Sequence, residues 1–98
     1  MNTYMIDARL PKKLTEEFIS LIPQQKAKID ELMDGGKIIQ YSLAMDRSKL
    51  WVIILAESEK NVLDIISTFP LIDFMEPKIH ELAFHHSNSI ELPKLIMN

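Results

Sequence analysis

Six side chains of this sequence are of types that can move a proton or hold a small polar molecule: Asp7, Arg9, Gln40, Ser42, His80 and His85. A histidine close to a carboxylate exchanges protons near neutral pH, so Asp7 with His80 or His85 is a candidate acid–base set. Arg9 carries the planar fork that holds a carboxylate, and Gln40 and Ser42 can recognise a ligand without transferring protons. Asp7 and Arg9 can equally pair with each other as i, i+2 neighbours on a wet sheet face. All three histidines, His80, His85 and His86, fall in one stretch, FPLIDFMEPKIHELAFHHSNSI, from Phe69 to Ile90. Adjacent residues on a strand point to opposite faces, so His85 and His86 cannot easily grip one metal, and no carboxylate follows closely. A 2-His-1-carboxylate set would need ligands from several strands, so no metal is expected. The only glycines are the pair Gly35-Gly36, which makes no phosphate loop, and the chain has no cysteine. No nucleophile elbow surrounds Ser42, Ser87 or Ser89, so covalent catalysis is not expected either.

The elements that must position these groups follow from periodicity. Residues 3 to 10, TYMIDARL, alternate, with Tyr4, Ile6, Ala8 and Leu10 on the apolar side and Met5, Asp7 and Arg9 on the other. Thr15 can cap a long helix whose apolar stripe is Phe18, Ile22, Ile29 and Met33, with a kink or break expected at Pro23 and a stop at Gly35-Gly36. KIIQYSLAM, residues 37 to 45, reads as a second strand with Ile39, Tyr41 and Leu43 towards the helices and Gln40 and Ser42 away from them. A polar turn at residues 46 to 49 leads into LWVIILA, Leu50 to Ala56, which is continuously apolar, as in a strand covered on both faces. Ser58 can cap a second helix carrying Val62, Ile65, Ile66 and Phe69, and Met75 to Phe84 reads as the last strand. On it, Ile79 lies under the helices while Lys78 and His80 face away.

This order, strand, helix, strand, strand, helix, strand, predicts an α+β, ferredoxin-like βαββαβ domain: a four-stranded antiparallel sheet with two helices on one face. The uncovered face of such a sheet must meet a partner, and a sheet-to-sheet homodimer, a dimeric α/β barrel, is the simplest solution. Asp7, Arg9, Gln40, Ser42 and His80 would then line the space between the sheets. Ninety-eight residues suit one domain over 1–98, with 85–98 as a tail whose apolar group, Leu92, Leu95, Ile96 and Met97, is expected to pack on a neighbouring subunit.

A net charge of −3 argues against nucleic acid as a partner, which calls for clustered Lys and Arg. Tyr41 and Trp51 are accordingly read as core or interface residues, not as a base-stacking platform. No apolar run is long enough for a membrane span, and the charged first twenty residues do not read as a signal peptide, so a cytoplasmic location is expected.

Several motifs resemble those of the muconolactone isomerases and their relatives. Phe69-Pro70-Leu71-Ile72-Asp73-Phe74-Met75 resembles the family pattern L-P-L-F-P-Y-M. His85-His86-Ser87-Asn88-Ser89-Ile90 is similar to H-P-S-S-I, with an extra residue and His86 in place of proline. Ile6-Asp7-Ala8-Arg9-Leu10-Pro11 resembles the opening M-x-V-x-L-P. The resemblance implies a ferredoxin-like fold, sheet-packed dimers that can build larger rings, and cofactor-free isomerisation of a small lactone by proton transfer. On that reading Arg9 orients a carboxylate while Asp7, His80 or His85 moves the proton. The family's second strand has the form W-R-H-L-W-R, and Ile38-Ile39-Gln40-Tyr41-Ser42-Leu43 stands there instead. The family's glutamates midway along the first helix are replaced by Pro23-Gln24-Gln25-Lys26. Two readings follow: a proton-transfer isomerase on a small oxygenated, lactone-type molecule, with standard muconolactone activity weak, or a non-catalytic small-ligand-binding or assembly module.

Overall fold

The computed structural model describes residues 1–86. In chain order the elements are β1 (Asn2–Arg9), α1 (Glu16–Asp34), β2 (Ile38–Leu43), β3 (Lys49–Ala56), α2 (Glu59–Ile66) and β4 (Glu76–Leu82). The strands form one antiparallel sheet in the order β2-β3-β1-β4, the arrangement expected of βαββαβ. Tyr4, Ile6 and Ala8 of β1 and Leu50, Val52 and Ile54 of β3 are buried in one core with Phe18 and Ile29 of α1 and Val62, Ile65 and Ile66 of α2. Alternation along β1 therefore sorts its side chains as the periodicity predicts.

The helix ends follow local chemistry. The Thr15 hydroxyl accepts from the Phe18 amide at 3.1 Å, and the Ser58 hydroxyl accepts from the Asn61 amide at 3.1 Å. Each satisfies one of the amides that a first helical turn leaves without a carbonyl. Gly36 turns the chain out of α1 at φ 76, where a side chain would be strained.

Four details depart from expectation. First, α1 runs through Pro23 without interruption. Pro23 lies on the exposed side, so the carbonyl it leaves without a donor can be satisfied by water. Second, the buried face of α1 is Phe18, Gln25 and Ile29, while Ile22 and Met33 remain 43% and 41% exposed. At about 100° per residue the latter pair sits about 40° and 60° round from Phe18, on the flank of the stripe. Third, an irregularity between Ile38 and Gln40 in β2 turns Ile38 into the core and leaves Ile39 exposed, so Ile39 is not a helix-side residue. Fourth, β4 ends at Leu82, which leaves Phe84, His85 and His86 beyond the strand. The opposite-face argument for the two adjacent histidines therefore does not apply to them. Among the described residues no helix is long and apolar enough to cross a membrane. The tail expected to reach a neighbouring subunit falls mainly on residues 87–98, outside the described ones.

Candidate functional site

Five of the six candidate residues share the open face of the sheet. The register sets Asp7 opposite Trp51 and Lys78, Met5 opposite Ile53 and His80, and Arg9 opposite Lys49 and Glu76. Ser42 and Gln40 lie opposite Trp51 and Ile53 on β2. Since β3 intervenes, Gln40 and Ser42 are about 10 Å from the β1 side chains, two strand spacings away. His80 is a diagonal neighbour of Asp7, and no hydrogen bond joins the two among the described residues. His85, half-buried, lies past the end of the strand and is not part of this face.

Asp7 and Arg9 do not pair with each other. Lys49 Nζ reaches the Asp7 carboxylate at 3.3 Å, and Arg9 reaches Glu76 at 3.6 Å. The cross-strand neighbours offer opposite charge at closer range than an i, i+2 partner on the same strand. A hollow of about 130 Å³ opens among these groups and Lys78, smaller than the roughly 300–1,000 Å³ of typical ligand sites. The face is also less apolar than the run Leu50–Ala56 suggests. Ile53 is already buried, at 3% exposure, which leaves Trp51, at 37%, as its large accessible apolar group on β3.

A larger opening lies on the other side of the sheet. A cleft of about 510 Å³ separates the flank of α1 from β2 and the turn after it. Leu14, Ile22 and Met33 line it from the α1 side and Leu43 from β2, each between 41% and 46% exposed. Phe18, Ile29 and Leu50 also line it and connect it to the core.

Within this apolar wall sit two polar side chains that the sequence reading did not select. Gln25 is 4% exposed, the one buried polar residue among those described. Its Oε1 accepts from the Leu71 amide at 3.0 Å, and its Nε2 donates to the Tyr41 hydroxyl at 3.3 Å. Burial pushes the Tyr41 phenol above its ordinary pKa, partly offset by the Gln25 hydrogen bond, so it stays protonated well into alkaline solution. Its own O–H has no acceptor among the described residues, which leaves a donor available at the cleft. Asp30, ion-paired with Lys26 at 3.2 Å, is the carboxylate on the wall, and Arg47 lines the cleft from the turn. Arg47 sits at φ 64 in a turn where the Asp46 carboxylate accepts from the Ser48 hydroxyl and amide.

A signal for Gln25 was present in the sequence. It lies seven residues after Phe18 and four before Ile29, so a polar side chain occupies the centre of an apolar stripe. Such a residue is buried only with its hydrogen bonds met, as here. Among the described residues no three His, Asp or Glu side chains come together as metal ligands.

The family model for muconolactone delta-isomerase matches residues 3–88. The fold is similar to that of a muconolactone isomerase crystal structure, with a TM-score of 0.71 and 16% identity over 88% of this chain and 97% of that one. No curated protein matches the chain.

Proposed function

The chain belongs to the muconolactone delta-isomerase family, and on that premise we propose that it shifts a double bond in a small oxygenated, lactone-type molecule by proton transfer without a cofactor. The molecule sits in the cleft between α1 and β2. The observation that carries this reading is the Gln25–Tyr41 pair, a neutral donor set into an otherwise apolar wall. A carbonyl oxygen can accept from the Tyr41 hydroxyl. When a proton leaves an adjacent carbon for the Asp30 carboxylate, the electron pair moves into an enolate, and the charge on its oxygen strengthens that hydrogen bond. The proton then returns at the far carbon of the conjugated system. Atoms and electrons balance with no oxidant.

A second arrangement has Asp7 or His80 moving the proton, with Arg9, Gln40 and Ser42 holding the substrate between two packed sheets. Its support is the shared open face of these residues. It requires the homodimer or larger ring expected from the uncovered sheet, which we also propose, with His85 and the tail after it near the subunit boundary.

Incubation in D2O with muconolactone and a panel of unsaturated one-ring lactones, followed by NMR, reads binding and carbon–hydrogen exchange together. Loss of exchange in Asp30→Asn and retention in His80→Gln is the expected pattern. The reverse pattern assigns the chemistry to the sheet face. Binding at the cleft without exchange identifies a ligand-binding module, and a protein that neither binds nor exchanges any of these sinks the proposal. Muconolactone itself should turn over well below the usual 1–10³ per second, because β2 lacks the basic residues of the family pattern.

A further inference from the structure

We propose that the cleft selects an uncharged, mainly apolar molecule of two fused rings or equivalent bulk, bearing one carbonyl-type oxygen that Tyr41 and Gln25 anchor. This rests on the reading of the cleft as the ligand site and narrows it. Size is the first argument, since about 510 Å³ suits a drug-sized ligand and a single lactone ring would leave most of the wall wet. Wall chemistry is the second. Leu14, Ile22, Met33 and Leu43 are left over 40% exposed around one opening, and contiguous apolar surface of this kind marks a binding groove. Covering it gains in proportion to the apolar area removed from water, which favours the second ring.

Charge is the third argument. Lys26 and Asp30 neutralise each other at 3.2 Å, so α1 offers the ligand no unpaired charge there, and Arg47 lies on the exposed turn. An ionised group inside the apolar part would lose its hydration without a partner. One neutral polar point remains, the Tyr41 O–H held protonated by burial and oriented by Gln25. It matches one acceptor oxygen, such as a ketone or quinone carbonyl.

The test is an NMR titration of the full chain with four probes: α-tetralone, tetralin, naphthoate and γ-butyrolactone. α-Tetralone should bind about three- to tenfold more tightly than tetralin, the value of one neutral hydrogen bond, and both should bind more tightly than γ-butyrolactone. Tyr41→Phe should erase the gap between α-tetralone and tetralin and leave tetralin unchanged. Ile22→Trp, which fills the cleft from a partly exposed position, should weaken both bicyclic probes, and it carries the test if Tyr41→Phe does not fold. Tightest binding by the one-ring lactone or by naphthoate overturns the ligand class while the cleft remains the site. Equal affinity for ketone and hydrocarbon removes the anchor. If no probe shifts a residue of the cleft, both this inference and the siting of function in the cleft fail.

Discussion

On the helix side of the sheet the polar side chains are few and buried, and each has a fixed partner: Gln25 bridges the Leu71 amide and the Tyr41 hydroxyl. On the open side they are numerous and wet. Asp7 with Lys49 and Arg9 with Glu76 form ion pairs whose members are between 27% and 76% exposed. The same sheet thus carries two kinds of polarity. Buried neutral hydrogen bonds fix geometry, because leaving one unmade is costly. Exposed ion pairs contribute little to stability and are screened by salt. Candidate chemistry read from residue type alone points to the second kind, where the charged residues are. A site able to hold a ligand lies on the first.

The largest effect that sharpens this contrast concerns assembly. Trp51 is the large apolar side chain left accessible on β3 of the open face, so Trp51→Glu should weaken the proposed homodimer by about ten- to hundredfold, the worth of burying one large apolar group. Sedimentation of both proteins over a concentration series checks this. An unchanged assembly would mean that the open face is not the contact.

Next in size is the buried bridge. Gln25→Leu keeps the bulk but strands the Leu71 amide, at a cost of about 1–3 kcal/mol, or a fall in Tm of roughly 5–20 °C for a domain of this length. Calorimetry of this variant beside Lys49→Ala compares the two faces directly. If the two variants melt together, the buried hydrogen bonds are worth no more than the exposed pairs and the contrast fails.

Alkaline pH gives a smaller, signed effect. The folded protein holds the Tyr41 proton more tightly than the unfolded chain, whose phenol titrates near 10.0. The stability this brings is complete below that pH and is lost as pH rises through the higher folded value. Denaturation curves above pH 10 should therefore show a steeper loss of stability in the natural protein than in Tyr41→Phe. Parallel slopes would show that burial does not perturb this phenol.

The smallest effect belongs to the exposed pair itself. Lys49→Ala should cost about 0–1 kcal/mol, and added salt should shrink the difference further. A larger, salt-insensitive loss would mean that Asp7 and Lys49 are shielded from water by something on the open face, in line with a second sheet packed there.

Local signals in the sequence settled much of the scaffold. Period-two alternation sorted β1, caps at Thr15 and Ser58 began the helices, and the order of elements implied the ferredoxin-like sheet. These features depend on neighbours a few residues away, and such neighbours are adjacent in the chain. The partners of Asp7 and Arg9 could not be read this way. Lys49 lies on β3 and Glu76 on β4, so the pairing depends on strand register. The irregularity in β2 had no visible mark either: it reversed the facing of Ile39 while leaving Gln40, Tyr41 and Ser42 on the sides expected of them.

By itself the sequence determined which residues alternate, which begin and end helices, and that a polar side chain interrupts the stripe of α1 at Gln25. Only the tertiary structure decided what that interruption is for. Gln25 reaches Tyr41 on β2 and the backbone of Leu71 beyond α2, three parts of the chain that the fold alone brings together. The cleft beside them is likewise a space between elements. Its existence depends on how far α1 stands from β2, and no local pattern of residues encodes that separation, because it is set by the packing of every side chain between the two.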